Sequence, residues 1–172
     1  MSSLETYVGI AEIVGAVAII SGTIFALVQL REYRKQRRCQ VAAELCRGFT
    51  EPALAQAVTL LLSLPDNISQ EEMHACGAEY EEAGQLVGMS FETMGLLVHR
   101  NIAEFQVVRE LTGGLLLMMW RKTGCWIKEV RDQQGNPRFG EWYQWLAERV
   151  EECEAEIEPA YKAHAQWTPP RR

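Results

Sequence analysis

Between Tyr7 and Leu30 the chain holds 24 residues with a single charged side chain, Glu12. A helix rises about 1.5 Å per residue, so this run reaches roughly 36 Å, enough to cross a hydrocarbon core of about 30 Å. Bases crowd only behind it: Arg31, Arg34, Lys35, Arg37 and Arg38, with one acid among them. A cleaved signal peptide carries its bases ahead of the apolar run, where this chain has Glu5 and no Lys or Arg. The run therefore reads as a retained transmembrane helix. The positive-inside rule then sets the N-terminus outside and the bulk of the chain in the cytoplasm, as a single-pass protein of a bacterial inner membrane. The five bases set topology first and attract anionic lipid heads second.

The span is two-faced. At 100° per residue, Gly9, Glu12, Gly15, Ala16, Gly22, Thr23 and Ala26 gather within about 80° of Glu12. Ile10, Ile13, Val14, Val17, Ile24, Phe25 and Val28 take the other side. Small residues let two helix backbones approach closely in lipid, and Ala18, Gly22 and Ala26 repeat every four residues. The small face is expected to pack on another integral membrane protein or on a second copy. A carboxylate inside the span costs a few kcal/mol and needs a partner, unless Glu12 only reaches the outer interface.

Net charge is −6 over 172 residues, yet residues 31–38 carry +4 and residues 39–172 carry −8. A nucleic-acid binder needs a basic face to displace counterions, and no such face is available beyond the juxtamembrane strip. The organisation expected is a span in residues 1–30, a basic strip in 31–38, a helical domain in 39–157 and a mobile tail in 158–172.

Beyond the strip the hydrophobic period is helical, and no segment alternates as a strand would. The fold class is all-α: one transmembrane helix followed by a cytoplasmic bundle of about four helices. The first helix is expected to run on through Val41, Ala42 and Leu45. Pro52 restarts a helix that Pro65-Asp66-Asn67 ends. Ser69-Gln70-Glu71-Glu72 is a capping box opening a helix to about Arg100, with Phe91, Met94 and Val98 on its apolar side. Asn101-Ile102-Ala103-Glu104 reads as a second cap, for a long helix to about Arg131. Gly113-Gly114 should kink that helix or admit a close neighbour. A last helix from Gly140 turns Trp142, Trp145, Leu146 and Val150 to one side.

The segment Ser90 to Arg131 resembles a family of uncharacterised bacterial proteins defined by a domain of unknown function. Phe91-Glu92, Gly95-Leu96-Leu97, Arg100, the run from Gly113 to Trp120 and Arg131 carry the resemblance. It implies architecture only: one N-terminal span, a basic flank and an all-helical cytoplasmic domain.

Chemistry-bearing patterns are thin. Cys39, Cys46, Cys76, Cys125 and Cys153 include no Cys-x-x-Cys and are expected as buried small hydrophobes in a reducing compartment. Glu71-x-x-His74 is one half of a di-iron signature, and neither His99 nor His164 supplies the other half. His99-Arg100 reads as a helix C-terminal cap. No phosphate loop or nucleophile elbow is present, so no catalytic, metal or cofactor residues are expected. Leu115, Met118, Met119 and Trp120 lie in a run that is apolar all round, as a bundle core or a candidate partner surface. The function expected is that of a non-enzymatic accessory or scaffolding subunit of a membrane complex or homo-oligomer. A membrane-tethered helical sensor for a small apolar ligand is the alternative, favoured by a large apolar pocket with convergent polar groups.

Overall fold

The computed structural model describes residues 15–33, 51–154 and 158–169, with 40, 41, 44 and 48 between the first two stretches. The chain divides into two units, Met1–Val41 and Ala42–Arg172. Among the described residues every regular element is a helix and there is no strand.

The first unit contains α1, Gly15–Tyr33. Its 19 residues have a mean hydropathy of 1.3 and none is buried, so α1 is long and apolar enough to cross a membrane. Residues 40 and 41 are helical too, whereas Ala42 and Leu45 lie outside the described residues.

In the second unit, α2 (Pro52–Leu62) begins at Pro52 because the first turn needs no amide donor there. The next helix, α3 (Gln70–Cys76), opens on the expected box: Ser69 Oγ accepts from the Glu72 amide at 3.2 Å, and Glu72 Oε2 accepts from the Ser69 amide at 2.9 Å. The helix expected to continue to Arg100 is divided at Gly77, whose φ of +118° only glycine adopts freely. Beyond it run α4 (Ala78–His99), α5 (Phe105–Gln134), α6 (Glu141–Glu154) and the single turn α7 (Ala160–Ala163). The turn α7 lies within the stretch 158–172 and buries no side chain. Asn101 does not cap α5 as its surroundings suggest. With φ +54° it closes α4, and α5 starts four residues on behind Glu104.

The middle of this unit is α4, which packs against α2, α3, α5 and α6. The core comprises Leu61, Met73, Val87, Phe91, Val108, Leu116, Met119, Ile127, Tyr143 and Leu146, all within 1 % of full burial. Burying side chains of this size contributes about 1.5–3 kcal/mol each before the entropy of ordering them. Two long-range caps tie helix ends to distant helices. Glu129 on α5 accepts from the Gln70 amide (2.6 Å), and Glu92 on α4 accepts from the Tyr143 amide (2.8 Å). The connection from α2 to α3 is laced onto α5 as well. The Asn67 and Ile68 amides donate to the Arg121 and Lys122 carbonyls, and Lys122 Nζ reaches Leu64 O and Asp66. At Gly113 the outcome is close packing, while Gly114 faces open space. A Cβ at Gly113 would sit 3.2 Å from Val150, and α5 runs on through both glycines.

Candidate functional site

Of the small face on the span, Gly15, Ala16, Gly22, Thr23 and Ala26 are described and exposed, while Gly9 and Glu12 lie outside the described residues. No atom lies within 4 Å of where a Cβ would stand at Gly15 or Gly22. Thr23 gives its hydroxyl proton to the Ile19 carbonyl at 2.8 Å, so that donor is satisfied within the helix. Arg31 is exposed at the end of α1; Arg34, Lys35, Arg37 and Arg38 lie outside the described residues.

The candidate partner surface on α5 needs correction. Met119 is fully buried in the bundle core and cannot face a partner. Leu115 and Trp120 are half-buried, with Trp120 set edge-on against Tyr143 at 4.9 Å. Only Met118 of the four stands out, on the same stripe as exposed Leu111 one heptad earlier. A run that is apolar all round gives periodicity nothing to choose by, which is why sequence could not separate Met118 from Met119.

The cysteines also differ from expectation. Cys76 is exposed, Cys125 and Cys153 are half-buried and free, and Cys39 and Cys46 lie outside the described residues. Partial burial raises the Cys125 thiol pKa, and its hydrogen bond to Glu129 raises it further, so it is a poor nucleophile at neutral pH. His74 is exposed beside Glu81 at 3.0 Å. Among the described residues no group of three or more His, Cys, Asp or Glu could hold a metal. His99 lies against Trp142 (4.5 Å) and Trp145 (5.7 Å). Those two tryptophans are therefore half-buried, and Tyr143 takes the core position expected for Trp142. The Thr123 hydroxyl gives its proton to Met119 O at 2.9 Å, and the buried Tyr143 hydroxyl beside it makes no hydrogen bond of full geometry. Burial drives its pKa far above the ordinary phenol value, so it does not titrate.

What the structure adds is a cleft of about 470 Å³ between α4, α5 and the turn from Asn136 to Gly140. Its construction begins at Gly135, which ends α5 in the left-handed region (φ +59°). Asn136 Oδ1 then accepts from the Arg138 amide, and Arg131 Nε holds the Phe139 carbonyl at 2.9 Å. This fixes the Phe139 ring against Trp126, the two lying 6.5 Å apart at 84°. On the facing helix, Gly84, Gly88 and Gly95 fall within about 40° of one another at 100° per residue. They form a seam along α4. At Gly84 a Cβ would meet the Trp126 ring at 2.9 Å; at Gly95 it would overlap the Trp142 carbonyl. Both ends of the seam are thus closed by α5 and α6. At Gly88, between them, no atom lies within 4 Å, and this glycine lines the cleft. Glycine in a helix interior costs about 1 kcal/mol relative to alanine, and here no internal contact requires it. The rim carries Met89, 71 % exposed, with Glu92 and Arg138. Sequence reasoning missed this site, although glycines at 84, 88 and 95 on one helix were the available signal.

The chain matches no curated protein and no solved structure. A family model does match residues 16–150, which run from the start of α1 almost to the end of α6. The chain belongs to the DUF4760 family, a domain of unknown function.

Proposed function

We propose that this chain is a non-enzymatic, single-pass protein of a bacterial inner membrane, with its N-terminus outside and its helical domain in the cytoplasm. It would act as an accessory or scaffolding subunit of a larger membrane complex or of its own homo-oligomer. The observation that carries this reading is α1: exposed along its described length, apolar, and with no described atom beyond its own backbone within 4 Å of where a Cβ would stand at Gly15 or Gly22. Lipid gains nothing from glycine, whereas a second helix backbone does. The orientation rests on the five bases behind the span.

The test replaces Gly15 and Gly22 with Leu in the full chain and follows association in a mild detergent, by crosslinking and by mass. Association should fall while insertion persists, because Leu favours insertion. Phe25 and Val28 to Leu, on the opposite face, should change little. Equal effects from both pairs would reduce the span to an anchor. A second reading, a membrane-tethered sensor for a small ligand, is favoured by the cleft at Gly88, whose size lies within the usual range for ligand sites.

A further inference from the structure

We infer that the cleft over Gly88 binds a small aromatic carboxylate, its flat body against the α4 glycine seam and its acid group at Arg138. This rests on the sensor reading and names its ligand class. The body follows from the walls. The seam is closed at Gly84 by an indole and at Gly95 by the α6 backbone, and it stays bare only where it faces the cleft. The Trp126 and Phe139 rings, packed edge to face on each other with centroids 6.5 Å apart, line the same cleft and give a planar group an aromatic wall beside the seam. A helix backbone without Cβ atoms offers a planar guest a flat floor.

The charge follows from a count of partners. One guanidinium group lines the cleft and a second stands behind its wall. Arg138 lines it, and Arg131 lies behind Gly140, its Nη2 3.8 Å from where a Cβ would stand there. Neither pairs with a carboxylate among the described residues. Arg131 donates only to neutral oxygens, the Phe139 carbonyl and the Gln144 side chain, and its buried Nη2 has no hydrogen-bond partner. The one acid at the rim, Glu92, accepts from the Tyr143 amide in the first turn of α6, where the helix N-terminus meets its charge. The cleft therefore offers a guanidinium without a carboxylate partner beside apolar walls, while its one acid is engaged at the start of α6, and a planar anion complements both.

The experiment titrates the full chain in nanodiscs with naphthalene-2-carboxylate and, in parallel, with neutral 2-naphthylmethanol, by calorimetry with empty nanodiscs subtracted. The acid should bind saturably and more tightly than the alcohol. Arg138→Gln should weaken the acid about tenfold and leave the alcohol unchanged. Gly88→Leu, which fills the seam where there is open space, should abolish both while the helical melting transition persists. If neither compound saturates, or if Gly88→Leu binds as well as the parent, the cleft is not the site and the sensor reading falls with the inference. If acid and alcohol bind alike and Arg138→Gln changes neither, the cleft stands as a ligand site and the anionic ligand is refuted. Octanoate binding tighter than the naphthalene acid would refute the aromatic body.

Discussion

The span and the bundle use the same small residue for opposite reasons. In the bundle, Gly84 and Gly95 are places where another helix comes so close that a methyl group has no room. In α1, the candidate span, no described atom beyond the helix's own backbone lies within 4 Å of a Cβ placed at Gly15 or Gly22. The bundle also closes its own polar ends, through Ser69 and Glu72 at α3 and through Glu92 at α6. The difference teaches where to look for partners: a glycine explained by an internal contact says nothing about function, and one without such a contact points outward. Gly88 and Gly114 sit in helices of the bundle yet belong, by this criterion, with α1, and of the two Gly88 lines the cleft.

The comparison breaks most readily at Gly95. Alanine there would press its methyl onto the Trp142 carbonyl, which is backbone and cannot swing aside as a side chain would. Separating α4 from α6 loosens Phe91 against Tyr143, stacked at 5.0 Å in the core. The expected cost is about 2–3 kcal/mol, within the range for overpacking. That corresponds to a fall in melting temperature of about 5–10 °C, read by circular dichroism. An unchanged melt would mean that the two helices do not meet at Gly95, and the internal explanation of bundle glycines would fail with it.

Legibility in the sequence follows the range of the interaction. The Ser69–Glu72 box and the Pro52 start were readable because every group involved lies within four residues. The division at Gly77 was not, since glycine is tolerated inside helices and only its backbone angle reveals the break. The caps that Glu92 and Glu129 provide span 51 and 59 residues, and no local pattern announces them. Tyr143 displaced Trp142 from the expected core position because His99 engages the two tryptophans from the side, a tertiary contact that periodicity cannot foresee. The cleft depends on the Gly135–Gly140 turn folding back over α4, so only its glycines, and not its walls, could have been suspected.

Gly88→Ala makes the same chemical change as Gly95→Ala, seven residues away on the same face, and should have the opposite sign. No atom lies within 4 Å of the added methyl, so no contact resists it. Alanine both prefers the helix and restricts the unfolded chain, which should stabilise by about 0.5–1 kcal/mol. The melting temperature should rise by about 2–4 °C. A fall instead would show that α4 at Gly88 is packed as tightly as at Gly95, and Gly88 would return to the internal class.

The smallest effect concerns the caps, where the bundle's self-sufficiency is electrostatic. The Glu72 carboxylate accepts hydrogen bonds from the Ser69 amide and hydroxyl, and these hold its pKa below the usual 4.5. A group whose pKa is lowered by folding stabilises the fold above its unfolded value. It loses that contribution as pH falls through the lower folded value. Glu72→Gln keeps an acceptor at the box and removes the charge. The parent should therefore melt slightly above the variant near pH 7, and the gap should close as pH falls through the lowered folded value and the carboxylate protonates. Because Glu72 is exposed, the gap at neutral pH should be the least of the three shifts, and added salt should narrow it. A gap that widens on acidification would mean that the protonated box is the stabilising form, and that α3 is held at its start by Glu129 from α5 alone.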